Sequence, residues 1–278
     1  MMMMLKRSPR AVLLAAEREG KDIEDIQGEF RRELDALYRR YKREVTAAMK
    51  AGIPYDKKAV RMAEVSKVLD DLDRALLEAG LDDFRATNAQ LYRKTTASAL
   101  AYFVNAGADL SKVSTSIDVF DAYIRHADIN LTKMLDIQLV EPIRTQLFQS
   151  TFGGISRAAV VDNVSNLLPN LSTTKIEQAA DWAFESFQRQ VTVETGDRLG
   201  LEIYEFLGPM DALTSPQCEA MLDYSEHGAP GFYYRDEITT DLHEDLVYPP
   251  LINGGHPNCR HKFYPVTLEY AQSKGFQE

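Results

Sequence analysis

From about residue 25 to residue 198 the apolar residues recur at the three- and four-residue spacing of helices that bury one face. Phe30, Leu34, Leu37, Tyr38, Tyr41, Val45 and Met49 form the first stripe, which Gly52-Ile53-Pro54 ends because proline cannot continue a helix. A second helix is predicted from near Asp56 to Gly80, with Val65, Val68, Leu69, Leu72 and Leu76 on one face and Gly80 placed as a left-handed C-cap. A third follows from Asp82 to about Asn105. Thr115 with Asp118, and Thr174 with Glu177, resemble capping boxes opening helices that reach about Gln149 and Glu194. Pro142 should kink or break the earlier of these. Ile176, Ala180, Ala183, Phe184, Phe187 and Val191 define the buried stripe of the last.

After residue 200 the texture changes to short strands and loops. Ile203–Leu207 has the branched and aromatic content of a strand, Gly208-Pro209 ends it, and Tyr233, Tyr234, Val247 and Tyr248 suggest further extended pieces. A region this small has little core of its own and needs another source of stability.

Both cysteines and four of the five histidines lie in this last part. Cys218, His256, Cys259 and His261 are four soft or borderline ligands, the number and type that close a tetrahedral zinc site. Cys259 and His261, two apart, point the same way only if their stretch is extended. The spacing is not that of a common zinc finger, and the other reading keeps both cysteines as small buried residues or as a disulfide. A metal joining Cys218 to residues 256–261 would close about 40 residues and supply the missing stability.

The same residues carry a resemblance. Asp211-Ala-Leu-Thr214-Ser-Pro-Gln-Cys218-Glu-Ala-Met-Leu222-Asp223, then Pro249-Pro250 and His256-Pro257-Asn258-Cys259-Arg260, resemble the C-terminal signature of phage minor head proteins of the Mu F type, the head morphogenesis proteins. Trp182 to Arg198 followed by Leu201–Leu207 resembles the helix and strand that lead into that family's cysteine loop. In the family a second cysteine usually follows the arginine, where this chain has His261, and the loop Tyr224-Ser225-Glu226-His227-Gly228 is longer than usual. His227 and His243 are therefore further candidate ligands.

The resemblance implies one structural zinc per chain and a minor structural protein of a tailed-phage head. Such a protein would be associated with the portal or the inner capsid face and act in head assembly, DNA packaging or genome delivery. It would be made in the host cytoplasm and carried in the virion. Its partners would be portal and capsid proteins, with an oligomeric arrangement on the portal. No catalytic residue is implied, because four protein ligands leave no open metal position. Two other classes stand beside this one. A zinc hydrolase or nuclease with an open position would need a base such as Glu219, Asp223 or Glu244. A metal-free helical interaction module would need neither.

Charge bears on the partners. The formal net charge is -10; after Gly200 there are 13 acidic and 4 basic residues, against 29 and 28 up to that point. An acidic C-terminal part repels phosphate backbones, so any contact with packaged DNA would fall to the helices. Arg31 to Arg43, interleaved with Tyr38 and Tyr41, could make one, although Glu29, Glu33, Asp35 and Glu44 make the same helix look like a solvated surface. Trp182 is expected in a core or an interface, and His126 on an exposed helix face.

Met1 to Glu19 has a basic start, but its apolar stretch is too short for a secretory core, and no run approaches the about 20 apolar residues of a membrane span. The predicted architecture is α+β. Residues 1–24 form a flexible segment, 25–198 an elongated helical domain, and 199–278 a small loop-rich, metal-clamped domain.

Overall fold

A computed structural model describes residues 9–106, 108–110, 117–239, 242, 250–253 and 259–277. The chain is mainly helical with, among the described residues, one small sheet, an α+β fold. The helices are α1 (Pro9–Gly52), α2 (Met62–Glu78), α3 (Leu81–Asn105), α4 (Ile117–Leu135), α5 (Glu141–Phe152), α6 (Arg157–Leu167) and α7 (Thr174–Leu199). Then come β1 (Ile203–Leu207), α8 (Pro216–Asp223), β2 (Phe232–Tyr234), α9 (Pro250–Asn253), β3 (Lys262–Val266) and α10 (Leu268–Ser273). No helix among the described residues is long and apolar enough to cross a membrane.

The chain forms two compact units. One comprises residues 28–91 and 125–180, the other residues up to Gln27, 92–124 and 181–278. Both are discontinuous, so the linear boundaries expected at residues 24 and 198 do not follow the packing. The expected flexible segment is also corrected over its described part: residues 9–24 belong to α1, and Ala15, Ala16, Glu19 and Ile23 are buried.

In the first unit the predicted stripe of α1 is the core: Phe30, Leu34, Leu37, Tyr41, Val45 and Met49 are buried, as are Val65, Val68 and Leu72 of α2. Gly52 allows α1 to close on α2, since a Cβ there would lie 2.4 Å from Val68 Cγ2. Gly80 has φ +96° after the end of α2, as its C-cap reading required, and Arg40 Nε donates to the Ala79 carbonyl at 2.5 Å. The second helix begins at Met62 rather than near Asp56, because residues 54–61 run irregularly beneath Arg157, whose guanidinium bonds Asp56 (3.0 Å) and Glu64 (2.9 Å).

At Pro142 the helical course is distorted rather than ended. Immediately before it, Asp136–Val140 widens into a π turn in which the Glu141 N–H reaches back to the Asp136 carbonyl, making room for a ring that would clash with a regular helix. Thr115 lies outside the described residues. The second expected capping box is not the contact seen: α7 starts at Thr174, and the Thr173 hydroxyl donates to Glu177 Oε1 at 2.7 Å, a side-chain pair four residues apart.

The basic face of α1 loses its aromatic platform. Tyr41 is fully buried, and the Tyr38 hydroxyl lies 2.7 and 2.6 Å from the carbonyl oxygens of Leu168 and Leu171, so neither ring is presented for stacking on bases.

In the other unit β1 is the centre of an antiparallel sheet of order β2-β1-β3, with Ile203 opposite Tyr234 and Val266, and Phe206 opposite Phe263. Alternation along the strands gives the sheet two apolar faces. Ile203, Phe232, Tyr264 and Val266 pack with Ala15, Ala16, Tyr102, Phe103, Tyr270 and Phe276. Tyr204, Phe206, Tyr233 and Phe263 pack with Val193, Met221, Cys218 and Cys259. The C-terminal region, expected to have little core of its own, shares a core with α1, α3 and α7. Among these residues α7 is buried on several sides: Gln188, Arg189, Thr192 and Thr195 are buried along with Phe187 and Val191. Trp182, expected in a core or interface, is 40% exposed, and His126 is exposed as expected.

Glu205 faces the first of these cores and accepts a 2.8 Å hydrogen bond from the Tyr270 hydroxyl. Burial raises its carboxyl above the ordinary range, opposed by that hydrogen bond and by Lys274. In the window between its unfolded and folded values the folded chain holds a proton that the unfolded chain has released, so stability from this group falls as pH rises through that window. Glu205→Gln removes the effect while keeping an acceptor for Tyr270. The melting temperature of the variant minus that of the wild type should be more positive at pH 8 than at pH 4; an equal or reversed difference contradicts the assignment.

Candidate metal centre

Cys218 enters from α8. Ser215 caps that helix by accepting from the Cys218 N–H at 3.2 Å, Pro216 occupies its first turn, and Cys218 and Met221 turn inward. Cys259 and His261 enter from the extended residues leading into β3. Cys259 is buried, Arg260 exposed and His261 buried, which is the alternation that places the two candidate ligands on one side.

Ligand atoms of Cys218, Cys259 and His261 lie within 4.8 Å of one another, and all three residues are buried. The sulfurs are 3.5 Å apart, much longer than the about 2.05 Å of a disulfide bond, so the disulfide reading does not describe this pair. His261 Nε2 is buried and has no hydrogen-bond partner among the described residues. A buried ring nitrogen left unpaired is costly, and a metal bound there would satisfy it. The donor set therefore fits a metal ion.

The ring of His261 is held between two features. Phe206 stacks on it at 5.3 Å between centroids and 18° between planes. On the neighbouring strand end Gly208 leaves the space the ring fills, since a Cβ there would lie 2.3 Å from His261 Cδ2. Between the ligands, Arg260 forms a two-pronged pair with Asp211, at 2.8 and 2.5 Å, that ties the loop before α8 to the ligand segment. The Arg260 guanidinium holds the Asp211 carboxyl down at about 2. Its contribution is complete above the usual carboxylate range and is lost only as pH falls toward that value.

The Cys218 sulfur and burial push the Cys259 thiol well up, so in the metal-free chain it is a neutral thiol rather than a nucleophile. Coordination reverses this, because a metal ion displaces the thiol proton.

Among the described residues no other expected residue joins the group. His227 Nε2 is 2.8 Å from Glu237 Oε1, and the ring packs against Tyr234 and Phe276, so as a spare ligand it is already engaged. Glu219 and Asp223 are exposed and outside the cluster. His256, His243 and Glu244 lie outside the described residues. Arg189, which the sequence reading passed over, reaches the ligand segment from α7. Its signal was a basic residue in a stretch whose other faces are apolar, legible only once both sides of α7 are known to be covered.

Comparison with protein-family models, with curated proteins and with solved structures finds no match to this chain.

Proposed function

We propose that this chain is a minor structural protein of a tailed-phage head, associated with the portal or inner capsid face and acting in head assembly, DNA packaging or genome delivery. A structural zinc, one per chain, would be held by Cys218, Cys259 and His261 with His256 as the fourth ligand. The observation that carries the reading is the convergence of Cys218 with Cys259 and His261 across 41 residues of sequence into one buried group. Cys218 and Cys259 are positions at which the chain resembles the head morphogenesis signature, and His261 stands where that family usually has a second cysteine. Zinc would supply cross-linking and no reaction, because four protein ligands leave no place for a water. The exposure of Glu219 and Asp223 supports the same view, since a hydrolytic site would need a base beside the metal.

The partners in this reading are portal and capsid proteins, and the site of action is the virion, after synthesis in the host cytoplasm. Co-expression with the portal and major capsid proteins of the same genome tests it. The chain should co-sediment with portal rings or assembled heads, in far fewer copies than the capsid protein. Its absence from both under conditions in which heads assemble would overturn the proposal.

A further inference from the structure

Arg189 is almost wholly buried in α7, with its side chain 2% exposed. Its Nη2 donates to the Cys259 carbonyl and lies 3.4 Å from the His261 carbonyl, while Glu185, one turn back, sits 3.3 Å away. Nε and Nη1 are buried with no hydrogen-bond partner among the described residues. A buried guanidinium is costly unless something in its surroundings compensates it, and one carboxylate at 3.3 Å does so for a single nitrogen. The two carbonyls it does hold belong to two of the three clustered metal-ligand candidates, on either side of Arg260.

We propose that Arg189 is the positioning residue of the metal centre, an assignment that rests on the metal reading above. By fixing the peptide carbonyls of Cys259 and His261 from one rigid, planar group, it sets the directions in which the sulfur and the imidazole leave the backbone. It also places a fixed positive charge beside a site whose sulfurs are anionic once a metal binds. Contacts of this outer kind orient ligands, and their loss typically costs about 10–100-fold in metal affinity. Lysine would keep the charge but on a flexible stem, without the rigid planar group that carries Nη2 to both carbonyls, so it should not restore the site fully.

The test is cobalt(II) titration of full-length, metal-free protein followed by displacement with zinc. Wild type, Arg189→Met and Arg189→Lys would be compared, with far-UV circular dichroism reporting the fold. Wild type should take up one cobalt per chain with sulfur-to-cobalt charge-transfer bands. Arg189→Met should bind about 10–100-fold more weakly with shifted bands, and Arg189→Lys should recover only part of the loss. Wild-type affinity and bands in a folded Arg189→Met overturn the assignment alone. If that variant does not fold, wild-type affinity in Arg189→Lys overturns it equally. A wild-type protein that takes no cobalt overturns the metal reading itself, and the role of Arg189 with it.

Discussion

Replacing Cys259 with serine should abolish stoichiometric metal binding and open the segments at 208–223 and 259–261 to protease, while residues 28–91 and 125–180 keep their own protection. The sulfur is one of three converging donors and is buried, and a hydroxyl is a far poorer zinc ligand. Structural zinc contributes about 10–16 kcal/mol of apparent binding energy in small zinc-dependent domains, so losing one anionic ligand removes a large part of what holds these loops. The effect should stay local, because the other face of the sheet has its own core against Ala15, Tyr102, Phe103 and Tyr270. Limited proteolysis read by mass spectrometry, with chelator-treated wild type alongside, measures it. A cutting pattern identical to that of the metal-loaded wild type would sink the clamp.

Phe206→Ala should cost about 3–5 kcal/mol in urea unfolding, the usual range for emptying a large aromatic site in a core. Phe206 is 1% exposed, stacks on His261 and packs on Phe263 at 4.6 Å between centroids. The same cavity frees the His261 ring to turn, so metal affinity should fall together with stability. A loss below about 1 kcal/mol with unchanged metal affinity would show that the stack does not hold the ligand.

The helical part was largely legible because its signals are local. The stripe of α1, the C-cap at Gly80 and the irregularity at Pro142 each depend on residues within a few positions, and the structure has a π turn where a kink or break was expected at the last. The α+β class followed from the change of texture at residue 200, and the inward pairing of Cys259 with His261 from strand alternation. What was not legible depends on distant contacts. Nothing near residue 15 announces that Ala15 and Ala16 pack in the same core as β1 and β3, so the first residues read as flexible and the C-terminal region as having little core of its own. His227 looked like a spare ligand because Glu237, ten residues on, is invisible as its partner until the chain folds. Gly208 reads in sequence only as a strand terminator, whereas its missing side chain is what lets His261 lie against β1. Trp182 lies on the open part of α7, which excludes the core half of its expectation and leaves the interface half in place.

The central claim is that Cys218, Cys259 and His261 hold a metal ion. Elemental analysis of full-length protein purified without chelator, beside a Cys218→Ser, Cys259→Ser double variant, tests it most directly. One zinc per chain in the wild type and none in the double variant is the predicted result. No metal in the wild type, or the same metal content in both, would contradict it.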